Sequence, residues 1–524
     1  MASDDIRQDG KGDEAGGWYP PVPLHNAHDD HSEHGRKHKR ERYRHREHDC
    51  SDHRAWQLGF IGDADYAFLL VSVYVTCFNE DGRPIVELSW KNQSMLLPIG
   101  DRRLIAIIDE LFWAHTDRHL TSAGRYGALR LLTNEAVMAP ARVLALRTAL
   151  TVDGEVGIDI GRGRVVTFGG GSFTIGREFP VTFRFAPSLP TPAGVPDLMR
   201  LRDYINVEDE GFQLIVAWLT FALLPFGPYP VLHLIGEHGS AKSTVSRFLR
   251  YLLDGRFSPG GGLPDSMRDF DVYARHRHGL FFENVSFLPD AVSDKICRMA
   301  TGSEDERRAN YTDGDLVTFE ARRPILINSI TNVITRSDLA SRALVVELKP
   351  IEKGRYRSES ELHAAFMRDA PQIMSGVMQI IAEGLINRSR TTAAKLPRMA
   401  DFAHWALAIE STFWTPGSFI AAFERNHEAS ASDILDDDEV GQVIFALVNR
   451  NGGRWQGTAS DLLVEVGLHL QEKGHSRHSG VPRQPRSLSE HVTRLAPDLR
   501  KRGITVSRMR VGAESAKQIT FERI

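Results

Sequence analysis

The tightest constraint in this sequence is one uninterrupted run in which an apolar segment, a glycine-bracketed loop and an amphipathic segment follow one another. Val231-Leu-His-Leu-Ile235 reads as a short buried strand after Pro228 and Pro230. Val245, Phe248, Leu249 and Leu252 recur at helical spacing over Ser243 to Leu253. Between them stands Gly236-Glu237-His238-Gly239-Ser240-Ala241-Lys242-Ser243-Thr244. Strand, glycine-rich loop and helix, in that order, are the setting of a phosphate-binding loop.

The residue types fit that chemistry. Gly236 and Gly239 let backbone N–H groups curl around phosphates. Lys242 supplies the counter-charge to the β- and γ-phosphates, and the Ser243 hydroxyl completes a Mg²⁺ shell at a helix N-terminus. The expected ligand is ATP with Mg²⁺. One position departs from the usual pattern: Ala241 stands where glycine is customary, so the backbone there is expected to lie outside the left-handed region.

Three polar strand ends follow in order. Gly279-Leu-Phe-Phe-Glu283 is a second buried strand closing on an acid suited to hold the Mg²⁺ through water. The next residue is Asn284, where many such ATPases carry the glutamate that activates water, which leaves Glu283 itself or Asp290 for that task. Pro324-Ile-Leu-Ile-Asn328 ends in an amide able to orient water near a γ-phosphate, and Asp338-Leu-Ala-Ser-Arg342 leads into the strand Ala343 to Leu348. Lys242, Glu283, Asn328 and Arg342 are therefore the expected catalytic series, with Arg342 reaching a neighbouring subunit's γ-phosphate and Arg336 as its substitute.

Residues 198–425 resemble the ATP-binding proteins of bacterial prophages and integrative elements, which are related to the superfamily-three and poxvirus-type helicase-primase ATPases of the AAA+ class. The resemblance is carried by Gly227-Pro-Tyr-Pro, Gly236 to Thr244, Asn284-Val-Ser-Phe-Leu-Pro-Asp, Ser293 to Gly302, Tyr311-Thr-Asp-Gly-Asp and Leu396 to Ala403, and it extends weakly over 60–195 and more clearly into 455–524. It implies a homo-oligomeric, hexameric or similar ring with sites between subunits, and a replication or primase partner. Helicases of this type insert a basic hairpin tip into the DNA channel. Here the matching hairpin, Arg308 to Ala321, turns on the acidic Thr312-Asp-Gly-Asp315, leaving Arg307, Arg308, Arg322 and Arg323 at its base as phosphate contacts or as a solvated face.

Around this core the expected architecture is multidomain: a central α/β P-loop (AAA+-like) ATPase over 198–425 opening on helices at Met199–Asn206 and Glu210–Leu224, an N-terminal α+β domain over 57–197, and a C-terminal winged helix over 437–524. Residues 1–56 are dense in His, Arg, Lys, Asp and Glu and read as a disordered tail, either a solvated segment, a basic arm that touches nucleic acid or a metal-binding His tract. In the α+β domain, Tyr66–Cys77, Ile85–Ser89, Val156–Ile160 and Val165–Phe168 read as strands, and Arg103–Thr116 and Asn134–Leu150 as helices. Asp159-Ile-Gly-Arg-Gly163 resembles the first phosphate loop of the actin and hexokinase group, and is equally a strand-turn-strand hairpin. The Pro-rich run Pro187–Pro196 and the acidic run Asp436–Glu439 read as linkers.

From Lys473 onward bases outnumber acids. Ser487-Leu-Ser-Glu490 reads as a capping box opening a helix that bends or breaks at Pro497 and stops at Gly503. Two strands flank a loop at Met509–Lys517. On this reading of a winged helix, His491, Arg494, Arg500 and Lys501 line a recognition helix and Arg508 and Arg510 a wing that contact DNA; the alternative is a protein-protein module.

The three cysteines, Cys50, Cys77 and Cys297, form no CxxC pair, which argues against a disulfide framework or zinc site and fits a reducing cytoplasm. No apolar stretch approaches the roughly 20 residues that span a bilayer, and the polar N-terminus does not read as a signal peptide. The leading functional expectation is an ATP-hydrolysing DNA helicase for replication of a mobile element. The alternatives are a nucleotide-gated DNA-binding switch and an ATP-driven defence or structural assembly.

Overall fold

In the computed structural model, Val231–Ile235 is buried because it is an inner strand of a four-stranded parallel sheet with apolar residues on both faces. The structure describes residues 50–524 except 60, 81–82, 92, 143, 185, 309–315, 353, 355, 393–395, 473–480 and 512–515. The expected tail therefore lies outside the described residues up to position 49. The chain divides into two compact units, 1–90 with 97–140, and 91–96 with 141–524.

The first unit contains α1 (Cys50–Gln57), α2 (Asp63–Ser72), the antiparallel pair β1 (Val75–Glu80) and β2 (Arg83–Trp90), then, after β3 (Gln93–Pro98), α3 (Arg102–Thr116) and α4 (Ser122–Met138). Two sequence expectations fail here. Tyr66–Ser72 is helix and not strand, because its buried residues Tyr66, Ala67, Leu70 and Val71 repeat at helical spacing. The helix expected over Asn134–Leu150 ends at Met138, ahead of Pro140, and Thr148–Leu150 is already a strand. Residues 50–56, assigned to the tail, are helical, and Trp56 stacks on Tyr66 at 5.3 Å.

The second unit opens with an antiparallel sheet of β4 (Thr148–Leu150), β5 (Val156–Gly161), β6 (Arg164–Gly169) and β7 (Ser172–Gly176). Asp159-Ile-Gly-Arg-Gly is thus a hairpin turn. Its anchor is Arg147, fully buried, which donates to Asp159 O at 2.7 Å, Pro187 O at 2.7 Å and Asp254 O at 3.1 Å and lies 3.6 Å from the Asp159 carboxylate. Asp254 closes the helix that follows the glycine-bracketed loop, so this arginine fastens the antiparallel sheet to that helix. Pro187–Pro196 is accordingly packed and not a free linker: Leu189 is buried, and Ala193 N–H donates to Pro371 O at 3.2 Å.

A short 3₁₀ turn, Met199–Tyr204, and α5 (Asp209–Ala222) precede the central elements β8 (Val231–Ile235), α6 (Lys242–Asp254), α7 (Met267–His276), β9 (Leu280–Phe282), α8 (Asp290–Thr301), the hairpin β10 (Ser303–Arg308) and β11 (Leu316–Ala321), β12 (Ile325–Asn328), α9 (Ser337–Ala340) and β13 (Ala343–Glu347). The sheet order is β13-β8-β12-β9, all parallel. Three helices, α10 (Glu359–Arg388), α11 (Ala400–Phe413) and α12 (Ser418–Asp437), complete this region. The hairpin tip and the side chains of Arg307 and Arg308 fall outside the described residues.

The C-terminal region runs α13 (Glu439–Arg450), β14 (Arg454–Thr458), α14 (Ala459–Glu472), α15 (Pro485–Lys501), β15 (Ile504–Val511) and β16 (Ala516–Arg523), with sheet order β14-β16-β15. The acidic run is a helix junction and not a linker: only Asp438 separates α12 from α13, and its carboxylate caps Gly441 N–H at 2.8 Å. Sheet residues Val231, Phe282 and Ile327 share one continuous core with Leu435, Val440, Leu488, Val492 and Phe521. Helix α15 begins at Pro485, in the first-turn position proline favours, earlier than the expected capping box, and passes through Pro497 without ending. The strands β15 and β16 extend into the expected loop, reaching Val511 and starting at Ala516.

Three imidazoles lie inside this unit. Burial pushes His233 and His278 down to about 3 and His427 to about 4, where lysine and arginine charges add to the effect. The folded state therefore holds them neutral while the unfolded chain takes up protons below about pH 6.5. Their stabilisation is complete above that pH and is lost as pH falls toward 3. Urea unfolding should show about 2 kcal/mol lost per imidazole between pH 7 and 5, and His233→Gln should remove one such share of the loss. An unchanged pH slope in that variant contradicts the neutral buried imidazole.

Candidate nucleotide site

At the carboxyl edge of the parallel sheet β8 gives way to a tight loop. A side chain at Gly236 would stand 2.6 Å from Leu348 O and 2.8 Å from Ser240 Oγ, so glycine is required on space alone. Gly239 has φ +83° and an otherwise open flank, so there the backbone angle requires it. Glu237, His238 and Gly239 form the exposed tip, while Ser240 is buried and donates to Glu237 O at 2.9 Å. The Lys242 ammonium donates to Gly236 O at 2.7 Å and Glu237 O at 2.8 Å, which centres its charge in the loop. Burial draws its pKa below the usual lysine value.

Ala241 overturns the expectation stated for it. Its backbone is left-handed, φ 62° and ψ 26°, and it serves as the N-cap of α6 without any side-chain cap. The first N–H groups of the helix, at Lys242, Ser243 and Thr244, are thus left to an anion. The alanine keeps the loop geometry at a conformational cost of about 1 kcal/mol that glycine would not incur.

Glu283 follows β9, and its Oε1 accepts from Gly260 N–H at 2.7 Å and from Ser246 Oγ at 3.4 Å. Ser246 lies one turn beyond Ser243 on α6, so the carboxylate sits beside the helix that carries the loop. Gly260 was not legible as a site residue. Its place is set by Arg250, whose guanidinium holds Ser258 O at 2.9 Å and also Pro259 O. A Cβ on Gly260 would meet Phe281 O at 2.7 Å. The signal available in the sequence was the run Gly260-Gly261-Gly262 between two apolar elements.

Asn328 ends β12, the strand between β8 and β9. Its Oδ1 accepts from Asn284 N–H at 2.8 Å, and its fully buried Nδ2 has no protein partner among the described residues. Asn284 in turn has φ 53°. A left-handed position tolerates asparagine and penalises glutamate, which accounts for the residue found there. Asp290, largely exposed, places one carboxylate oxygen 3.7 Å from both Arg336 and Arg494. Tyr356, exposed, places its hydroxyl 3.6 Å from where a Gly239 Cβ would stand.

Arg342 lies at the other edge of the sheet. Its carbonyl accepts from Val231 N–H, at the amino end of β8, and its guanidinium donates to Asp338 O at 2.7 Å. Five strand residues, roughly 16 Å, separate it from its own loop. Arg336 is held by Asp294 at 2.7 Å and by Asp338 at 3.4 Å, and so is a poorer substitute. Arg323 and Arg322, expected at phosphates or on a solvated face, donate instead to backbone carbonyls, Ala274 O at 2.7 Å and Phe226 O at 3.2 Å.

Of the residues expected on the DNA-facing helix, His491 pairs with Asp438 at 2.7 Å, Lys501 with Asp498 at 3.2 Å, and the Arg494 carbonyl accepts from Ser337 Oγ at 3.2 Å. Arg508 folds back onto α15 through Ser489 O and Thr493 Oγ1, at 2.9 and 2.7 Å. Arg500 is exposed, as is the Arg494 side chain. The Arg510 side chain lies outside the described residues. No group of three or more His, Cys, Asp or Glu side chains among the described residues could hold a metal. Ser243 and Glu283 are the oxygen donors that would hold a Mg²⁺ here; Glu283 is oriented through Oε1 by Gly260 and Ser246.

Comparison with known proteins bears on the same regions. A model described as actinomycete integrative conjugative element replication protein matches residues 195–437, and one described as the RepA C-terminal domain of these elements matches 440–524. The junction between the matches falls at Asp438. No curated protein matches the chain. The A-form apo structure of the NrS-1 C-terminal region covers 87% of this chain and 97% of its own at 12% identity, with a TM-score of 0.39. Another apo structure of that region covers 88% and 100% at 10% identity, also with a TM-score of 0.39.

Because Ala241 is left-handed, Ala241→Gly should leave stability unchanged or raise it by up to about 1 kcal/mol, whereas Ala241→Val should lose about 1–2 kcal/mol. Urea midpoints of the two variants decide this, and a valine variant as stable as the parent contradicts it.

Proposed function

We propose that this chain, which belongs to the replication proteins of actinomycete integrative conjugative elements, is an ATP-hydrolysing DNA motor, a helicase of the element's replication, working as a ring with ATP and Mg²⁺ bound between subunits. The observation that carries this reading is the division of polar groups between the two edges of one parallel sheet. Lys242, Glu283 and Asn328 gather at the carboxyl edge, and Arg342 stands at the amino edge, too far to serve its own loop. A strand order with β12 between the loop strand and the Glu283 strand supports an AAA+-like ATPase.

In this reading the loop N–H groups and Lys242 bind the β- and γ-phosphates, while Ser243 and Glu283 hold Mg²⁺, which offsets phosphate charge. The unpartnered Nδ2 of Asn328 donates to the attacking water or to the γ-phosphate. Arg342 of one subunit stabilises charge developing at the neighbour's site. The left-handed Asn284 favours a second reading, a nucleotide-gated DNA-binding switch, since no separate glutamate activates water. Single-stranded DNA raises ATP turnover steeply in a motor and barely in a switch.

The C-terminal order helix, strand, two helices and a strand pair supports a winged helix with α15 as the reading helix. Its exposed Arg494 and Arg500 are the phosphate contacts this reading favours. Because the module shares its core with the parallel sheet, charge substitution is the informative test and truncation is not. Arg494→Ser with Arg500→Ser should lower the salt slope of duplex binding by about 0.9 for each phosphate no longer neutralised. An unchanged slope places the DNA-binding face elsewhere.

For the site itself, Lys242→Ala should abolish ATP binding. Arg342→Ala should keep ATP affinity near the parent's and lose hydrolysis by about 10³-fold. Mixing the two variants should restore part of the activity, since one interface then pairs an intact loop with an intact arginine. Mixtures that co-assemble and stay inactive reject the action across subunits.

A further inference from the structure

Behind the helix that carries the phosphate loop, at its far end, lies a cavity of about 440 Å³ lined by Arg162, Arg164, Thr191, Tyr251, Met367 and Pro371 among others. None of the residues lining it is a carboxylate. Arg164 donates to Thr191 Oγ1 at 2.9 Å, which points its guanidinium along the cavity wall. Arg162 is exposed and pairs with no carboxylate among the described residues. Tyr251, on α6 one turn before its end, contributes a half-buried ring backed by Phe257 and Phe366. A second cavity of about 410 Å³ shares Ala193 and Pro371 with the first, but its Arg200 and Arg368 are both paired with Asp369, which lines it too, so the unopposed guanidinium groups belong to the first cavity. Two guanidinium groups facing no carboxylate in the cavity and an aromatic wall form a lining suited to a phosphate ester joined to a flat base. The volume is that of a small-ligand pocket.

The backbone at Arg162 is a separate observation. It occupies the tip of the β5–β6 hairpin between Gly161 and Gly163 and has φ 59°, as both glycines are also left-handed. Glycine or asparagine would sit there without the roughly 1 kcal/mol an arginine costs. Gly161 cannot relax this, since a Cβ there would stand 2.7 Å from Ser188 Cα. A long cation kept in a turn that disfavours it, at the lip of a cavity lacking negative charge, argues for use of its guanidinium.

We infer that Arg162, Arg164 and Tyr251 form a second phosphate-ester site, which takes a nucleoside phosphate either as a free nucleotide or as one residue of a single strand. The two guanidinium groups hold the phosphate and the Tyr251 ring stacks on the base.

The test uses the full chain carrying Lys242→Ala, so that the phosphate loop contributes nothing. A 12-residue oligothymidylate with one 5-iodouracil and, separately, 5-iodo-deoxyuridine monophosphate are irradiated with the protein, and adducts are mapped by mass spectrometry. Adducts on Tyr251 from the oligonucleotide alone assign a strand, and adducts from both probes assign a nucleotide pocket. Adding Arg162→Gly and Arg164→Ser should lower the yield at least tenfold. The glycine relieves the turn, so the thermal midpoint should not fall, and a lower yield then reports weaker binding of the probe and not unfolding. No Tyr251 adduct from either probe, or a yield within threefold of the parent's in the arginine variant, overturns the site.

Discussion

The parallel register of β13, β8, β12 and β9 is the constraint from which the rest of this molecule follows. Parallel strands that begin together end together, so one edge collects every strand-to-helix turn and the other every return. Pairing Asn328 with Leu234, and Ile327 with both His233 and Phe282, brings the amide of one strand end beside the loop and the acid of another. Pairing Ala343 with Val231 sends Arg342 to the opposite edge by the same rule. The register alone decides the edge at which each of the four groups stands. A slip of one residue between β12 and β8 would turn Asn328 to the other face and break the group.

Around this frame, small backbone exceptions do the fine placement. Gly260 presents its N–H to Glu283 only because Arg250 holds the two carbonyls before it. Asn284 is left-handed because Asn328 Oδ1 binds its N–H. Each exception is a local cost that the buried sheet over-determines. The left-handed backbone at Asn284 thus favours asparagine over glutamate at that position.

Much of the sheet was legible because its strands are short, apolar on both faces and closed by polar residues. The loop strand matched residue for residue, and β9 and β12 to within a residue. What failed had weaker periodicity. Tyr66–Ser72 is apolar enough to read as a strand, and only its burial at helical spacing distinguishes it. Pro-rich and acidic runs were read by composition as linkers, yet one is clamped by Arg147 and the other caps a helix. Composition reports solubility of a segment, while hydrogen-bond partners distant in sequence decide whether it packs. Gly260 showed in the sequence only as part of a glycine run and Arg162 only as part of a hairpin turn, since the groups that fix Gly260 and Gly161, Glu283 and Ser188, lie more than 20 residues away.

The single-residue junction at Asp438 has a consequence for how such chains can be shuffled. A reading head joined by a flexible tether can be exchanged between relatives as a cassette, because nothing but chain continuity connects it to its neighbour. Here Leu435 and Val440, on either side of the junction, fill one core with Val231 and Phe282. A crossover at this point between diverged genes would bring together halves whose facing side chains were never fitted to each other. Inheritance of the C-terminal module and of the sheet behind it is therefore linked, and chimaeras that keep Ile434, Leu435 and Leu488 matched are the ones that fold.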